Sequence, residues 1–112
     1  MNKVVQDGKV AVILNNYYGT PWYNDHFDQD LVFDPYIVDL ILEKQAGKML
    51  DSQFLEYLKA YLTDIGMDEV YVNQSRLELT VEWVREGSSF IIHEYDGLES
   101  IVYEQDVRWF NA

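Results

Sequence analysis

The apolar run from Lys9 to Leu14 constrains the fold of this chain more than any other feature. It follows an Asp7-Gly8 turn signal and is almost continuously hydrophobic, a pattern typical of a strand that is buried on both faces. The sequence contains no cysteine, so neither a disulfide framework nor thiolate ligands for structural zinc support the fold. A protein built around such a strand therefore depends on its hydrophobic core.

Helical spacing of apolar residues follows this first strand. Asp34 and Pro35 supply an N-cap and a proline at the first helical position, which predicts a helix that stops near Gly47. A second predicted helix begins near Asp51, carries one apolar stripe and ends at Gly66.

The apolar period then changes to two, which is the spacing of strands. A short strand is predicted at 69–72, followed by strands at 77–83, 90–95 and 99–103 that form an antiparallel meander. Asp96-Gly97 is the strongest short hairpin signal in the sequence.

The order of these elements predicts an α+β fold in a single domain spanning residues 1–112. We expect a mostly antiparallel sheet of about five strands, with both helices on one face. The first strand is open to parallel pairing with a later strand through a right-handed crossover.

Charge restricts the partners of this protein. The chain has 20 acidic and 8 basic residues and a formal net charge of −12. Nucleic acids and anionic membranes would repel it, whereas a basic protein partner would attract it.

The N-terminus has no long apolar segment, which predicts a cytoplasmic protein.

The longest irregular segment, 15–33, follows the first strand and is a candidate binding loop. Its aromatic side chains suit hot-spot contacts with a protein, or stacking on a base or sugar. They are equally suited to covering an open sheet edge or helix face. The candidate anchors of this loop are Tyr17, Tyr18, Trp22, Tyr23, Asp25, Asp28 and Asp30.

The acidic part of this loop does not match a calcium-binding loop. Counting from Asp28, Phe33 stands where glycine is required, and Asp39 stands where glutamate is expected. Weak Mg²⁺ or Ca²⁺ binding stays open, but a solvated loop with Asp34 capping a helix is the favoured interpretation. We predict no metal site and no cofactor.

The sequence contains no recognisable catalytic arrangement. In the strand at 90–95, His93 and Tyr95 share one face while Glu94 lies on the other, so His93 and Glu94 cannot cooperate within that strand. No serine stands in a nucleophile-elbow context, and no phosphate-binding glycine motif occurs. We therefore predict a binding protein with no catalytic residues.

Several carboxylates occupy positions on the meander and its turns that can face solvent. Together they resemble nucleic acid in sign and extent, so they predict an acidic face that competes with nucleic acid for a basic protein. Ordinary solubilisation by surface charge is the alternative interpretation. The residues of the predicted acidic face are Glu78, Glu82, Glu94, Asp96, Glu99 and Glu104.

The segment 77–101 resembles a family of small, mostly uncharacterised proteins of phages and prophages. The turn at 83–88 is similar to that family's Trp-Val-Pro-Glu-Gly-Thr turn, and the segment 94–99 to its Glu-Tyr-Asp-Gly-x-Glu strand end. This chain departs from the family pattern in two places. Arg85 stands where the family's turn has proline, and the segment 15–23 stands where the family has a glycine-rich loop. The resemblance implies phage origin and supplies no catalytic residues.

These observations predict a phage-encoded, non-enzymatic inhibitor in the cytoplasm of a bacterial host. Its partner would be a basic, nucleic-acid-handling or defence protein such as a CRISPR effector, a restriction enzyme or a nuclease. One alternative is a protein that sequesters a small molecule, such as a nucleotide or a signalling metabolite, in a pocket between the first loop and the sheet. Another is a phage structural or assembly protein, in which apolar edge strands would support a homodimer.

Overall fold

The computed structural model of this protein describes residues 3–22, 29–67 and 72–104. The fold is α+β, as predicted, with two α-helices and five antiparallel strands in two sheets within those residues. Short 3-10 helices occupy Gln29–Val32 and Gln74–Glu78. The remaining elements, in chain order, are β1 (Val5–Gln6), β2 (Lys9–Asn15), α1 (Pro35–Gln45), α2 (Asp51–Asp64), β3 (Leu79–Arg85), β4 (Phe90–Tyr95) and β5 (Leu98–Tyr103).

The first sheet has the order β1-β2-β3, and all its pairs are antiparallel. The Asp7-Gly8 turn joins β1 to β2 with positive φ at both residues, as a tight hairpin turn requires. The pairing of β2 with β3 runs from Lys9 opposite Arg85 to Asn15 opposite Leu79. Parallel pairing of the first strand is therefore not observed.

Among the described residues, the second sheet consists of β4 and β5. Asp96 and Gly97 close this hairpin with φ values of +49° and +91°, which confirms the predicted turn. The predicted meander is wrong in one respect, since β3 pairs with β2 and the β4–β5 hairpin forms a sheet of its own.

Strand β2 is the centre of the molecule and is buried on both faces, as its sequence predicts. Ala11 and Ile13 belong to the core shared with the helices. Val12 and Leu14 face the other way, where Val84 and the inward side chains of the hairpin cover them. The order of layers is helices, first sheet and hairpin, and this order explains why the run from Lys9 to Leu14 is apolar throughout.

Both helices begin and end close to their predicted bounds. The Asp34 carboxylate accepts a hydrogen bond from the Ile37 backbone N–H (3.1 Å), and Pro35 opens α1. Four residues of α1 and three of α2 are buried, and all seven join the core under the first sheet: Ile37, Val38, Leu40, Ile41, Phe54, Leu58 and Leu62.

One predicted strand begins at another residue, and another lies mostly outside the described residues. Residues 69–71 of the predicted strand at 69–72 lie outside the described residues. The strand predicted to start at 77 begins at Leu79, because the Asn73 side chain accepts the Ser75 backbone N–H (2.9 Å) and starts a 3-10 helix instead. In the described ranges, neither helix has the length and apolarity that a membrane span requires.

Candidate functional site

The first loop lies against the tip of the β4–β5 hairpin. The Gly19 backbone N–H donates to the Asp96 carbonyl oxygen (2.7 Å), and the Asn15 side-chain amide donates to the Gly97 carbonyl oxygen (2.8 Å). The approach is so close that a Cβ on Gly97 would lie 1.8 Å from the Gly19 carbonyl oxygen. Loop and hairpin tip therefore form one surface, which we call the loop–hairpin surface.

The carboxylate of Glu99 ties both ends of the segment 15–22 of this loop. Its Oε1 accepts the backbone N–H of Asn15 (2.7 Å), where β2 ends, and that of Trp22 (3.2 Å). Glu99 is only 4% exposed, so its assignment to the solvent-facing acidic face is wrong. It lies on the inward face of β5 with Ile101 and Tyr103, which pack on the core. Glu99 therefore acts as an internal anchor of the loop.

Arg76 lies beneath the loop and is 1% exposed. Its Nη1 donates to the carbonyl oxygens of Thr20 and Pro21 (3.3 Å each), and its guanidinium stacks on the Trp22 ring at 5.1 Å. Burial lowers the pKa of Arg76, and the nearby negative charge of Glu99 opposes that shift. The two charges support the loop from inside.

Trp22 is fully buried, so its predicted role as an exposed partner anchor is wrong. Its indole N–H donates to the Leu31 carbonyl oxygen (3.2 Å), and its ring is part of the helix-side core. Together, Trp22 and Arg76 occupy the region between the loop and the sheet, where the nucleotide-sequestering alternative places a pocket.

The loop turns two other predicted anchors outward. Tyr17 is 60% exposed and Tyr18 is 56% exposed, and their rings meet edge to face with centroids 5.8 Å apart. Tyr95, at the hairpin tip beside Asp96, is 64% exposed. Outward tyrosines on an anchored backbone lose little conformational entropy when they bind a partner.

The predicted acidic residues divide between the two ends of the hairpin. Glu78 and Asp96 flank the loop through their backbones. The Asn16 N–H donates to the Glu78 carbonyl oxygen (3.0 Å), and the Gly19 N–H donates to the Asp96 carbonyl oxygen. Glu94 is exposed at the same tip, and its Oε1 accepts the Gly97 N–H (2.6 Å).

Glu104 lies at the opposite end of the hairpin, where its backbone N–H donates to the Ser89 carbonyl oxygen (3.0 Å). The six-residue strands separate the two ends by ~17 Å. Glu82 is exposed on β3, opposite Val12. A single continuous row of the predicted carboxylates is therefore not observed, and three of them, Glu78, Glu94 and Asp96, lie at the end of the hairpin that contacts the loop.

Four predicted anchors have no described side chain. Tyr23, Asp25 and Asp28 lie outside the described residues, and for Asp30 only the backbone is described, in the 3-10 helix Gln29–Val32. Among residues 3–22, 29–67 and 72–104, no three histidine, aspartate or glutamate side chains converge as metal ligands would.

A second tyrosine cluster lies on the opposite side of the molecule, between α1 and α2. The Tyr61 hydroxyl donates to Asp34 Oδ2 (2.6 Å), and the Tyr36 ring stacks on Tyr61 at 4.3 Å. Burial and the hydrogen bond to Asp34 raise the pKa of Tyr61 to about 12. Asp34, predicted as a helix cap, therefore also fixes two aromatic rings.

Sequence reasoning missed the roles of Asn15, Arg76 and Glu99. For Glu99 a signal was present, because the period of two places it on the same strand face as Ile101 and Tyr103. For Asn15 and Arg76 no local pattern exists, since their partners lie far away in the chain.

Comparison with known proteins adds no relative. No family model, curated protein or solved structure matches this chain. The resemblance to phage and prophage proteins stays a prediction, and the functional argument rests on the site itself.

Proposed function

We propose that this protein is a non-enzymatic inhibitor that binds a basic, nucleic-acid-handling protein through the loop–hairpin surface, as a phage-encoded anti-defence protein would. The observation that carries the proposal is the exposure of Tyr17, Tyr18 and Tyr95 on a backbone anchored by the buried Glu99. The exposed residues Glu78, Glu94 and Asp96 add negative charge at the same end of the hairpin.

The composition of this surface favours a protein partner. Binding energy at protein interfaces concentrates in a few tyrosine, tryptophan and arginine contacts, surrounded by polar residues that exclude water. Exposed tyrosine faces also attract arginine and lysine, which abound on nucleic-acid-binding proteins. Carboxylates next to the rings would pair with the same cations and accelerate association.

The anchoring supports inhibition by a preformed surface. One carboxylate fixes Asn15 and Trp22 at the two ends of the segment 15–22, and the hairpin tip fixes Gly19 near the middle of that segment. A surface that is already ordered does not pay the entropic cost of loop ordering on binding. A partner with a basic groove would therefore meet aromatic and acidic groups where it normally holds nucleic acid.

The test compares capture of a partner by the wild-type protein and by a Tyr17→Ala/Tyr18→Ala variant. Leu50→Ala is the matched control, since Leu50 is 68% exposed and lies away from the surface, at the start of α2. A purified partner should bind the double variant at least roughly tenfold more weakly than the control. Binding should also weaken as salt rises from about 0.05 M to about 0.5 M, because salt screens the carboxylates.

The decisive measurement is the partner's affinity for its own nucleic acid, measured by fluorescence anisotropy. We expect the wild-type protein to displace nucleic acid and the tyrosine variant to lose that effect. Equal capture by the double tyrosine variant and by Leu50→Ala would contradict the proposal. A partner that keeps its nucleic acid while it is bound to the wild-type protein would contradict it as well.

A further inference from the structure

The seam between α1 and α2 holds a groove of about 310 Å³ on the side of the molecule opposite the hairpin. On α1, the spacing i, i+3, i+4 and i+7 places its lining residues on one helix face, and α2 and the connection between the helices contribute the rest. The lining residues are Tyr36, Asp39, Leu40, Glu43, Met49 and Tyr57.

Two aromatic rings form the apolar part of this groove. Tyr36 and Tyr57 are each 44% exposed, whereas Leu40 is 6% exposed and closes the bottom. Tyr36 is held in place by stacking on Tyr61, whose hydroxyl donates to the buried Asp34. The Tyr36 side of the aromatic wall is therefore fixed before any ligand arrives.

The charged part of the groove has one sign. Asp39 and Glu43 are exposed and stand one turn apart on α1. None of the described residues that line the groove carries a positive charge. Lys44, the basic residue in the last turn of α1, turns away from the groove and donates to the Leu77 carbonyl oxygen (3.0 Å).

We propose that this groove binds an arginine side chain of a basic peptide segment in a partner protein. The flat guanidinium stacks on tyrosine faces and pairs with carboxylates through two hydrogen bonds, whereas an ammonium acts as a point charge. The arginine stem would lie on Leu40 and Met49. Pockets for whole small molecules enclose most of the ligand surface, whereas this groove of about 310 Å³ is open to solvent, so it fits one side chain of a larger partner better.

This site is independent of the loop–hairpin surface, because the helices and the hairpin lie on opposite faces of the first sheet. The groove can fail its test while the loop–hairpin surface passes, and the reverse holds as well. If both surfaces bind one partner, the second contact becomes intramolecular and strengthens the first.

The test is a titration of the full-length protein with the blocked tripeptide acetyl-Gly-Arg-Gly-amide, followed by backbone amide chemical shifts in NMR. We expect shifts that saturate at residues 36–43, 49 and 57. The same tripeptide with citrulline in place of arginine should bind about threefold to tenfold more weakly, since it lacks the positive charge.

Variants then separate the groove from general electrostatic attraction. Tyr57→Ala and the pair Asp39→Asn/Glu43→Gln should each weaken binding about threefold to tenfold. The control pair Glu86→Gln/Glu104→Gln removes the same charge at exposed positions far from the groove and should leave binding within twofold. Circular dichroism of every variant confirms that the fold is retained.

Three outcomes would overturn this inference. The first is a set of shifts centred elsewhere on the protein. The second is an equal loss of affinity in the groove variants and in the control pair. The third is tighter binding of tetramethylammonium than of the arginine tripeptide, which would identify the groove as a site for a small organic cation.

Discussion

Replacing the buried Glu99 by glutamine tests the central claim about the loop. Glutamine keeps the side-chain size and one acceptor oxygen but removes the negative charge. The acceptor bonds to Asn15 (2.7 Å) and Trp22 (3.2 Å) would become neutral and weaker. Arg76, at 1% exposure, would keep its positive charge in the interior without the Glu99 counter-charge.

The expected loss of stability follows from that geometry. Removing one partner of a buried charge pair costs about 3–5 kcal/mol, mostly because the other charge stays buried. Since glutamine still accepts a hydrogen bond, we expect Glu99→Gln to lower the free energy of unfolding by about 3 kcal/mol. Glu99→Ala also removes both acceptor bonds, so we expect it to lower the free energy of unfolding by about 5 kcal/mol, the upper end of that range.

The assay is urea unfolding followed by tryptophan fluorescence and circular dichroism, carried through a double-mutant cycle. Arg76→Met removes the other charge, and the variant Glu99→Gln/Arg76→Met removes both. We expect the double variant to lose less unfolding free energy than the two single variants lose in sum, with a difference of at least about 1.5 kcal/mol. Glu94→Gln is the matched control, because Glu94 pairs with Glu99 across the hairpin but is exposed, and its change should stay below about 1 kcal/mol.

Two results would contradict the role of Glu99 as a buried anchor beside Arg76. A loss for Glu99→Gln no larger than that for Glu94→Gln would mean that the buried carboxylate does not anchor the loop. Additive losses for Glu99 and Arg76 would mean that the two charges do not stabilise each other.

Three further predictions concern local contacts. Gly97→Ala should lower the free energy of unfolding by about 1–3 kcal/mol more than Gly87→Ala does. Both glycines have positive φ (+91° and +83°), but only at Gly97 would a Cβ meet the Gly19 carbonyl. Equal losses in thermal unfolding would contradict the close contact. Asp34→Ala should cost about 2–3 kcal/mol, because it removes both the α1 cap and the acceptor of the Tyr61 hydroxyl, whereas Asp34→Asn should cost less since its oxygen still accepts the Ile37 N–H; equal losses would contradict the capping role. The Tyr61 pKa of about 12 lies above the ordinary value of 10.0, so the stabilisation from its neutral phenol is complete below pH 10 and is lost as pH rises through 12. The stability difference between wild type and Tyr61→Phe should therefore fall across that range in urea unfolding, and a difference independent of pH would contradict the raised pKa.

Much of the fold was predictable because its signals are local. Asp34-Pro35 starts α1 through a cap and a fixed φ within one turn of chain, and Asp96-Gly97 closes a hairpin with two residues of positive φ. The bound of β3 was missed because the Asn73 side chain competes with the strand for the backbone.

The candidate site was predictable only in part. Tyr17 and Tyr18 lie in an irregular loop and reach solvent, as anchors for a partner must. Trp22 has the same aromatic character and stands in the same loop, yet it is fully buried on Arg76. Composition cannot separate the two cases, because burial depends on what the rest of the chain places beneath the loop.

The sequence alone determined most of the elements: a strand buried on both faces, two helices, the first of them capped by Asp34, and a tight hairpin. The tertiary structure alone decided that β3 pairs with β2, that the hairpin covers the second face of β2, and that Glu99 is an internal anchor. The physical reason is distance along the chain. Caps and turns act between neighbours, whereas the carboxylate of Glu99 meets the Asn15 N–H across 84 residues, where only the packed fold determines which groups meet.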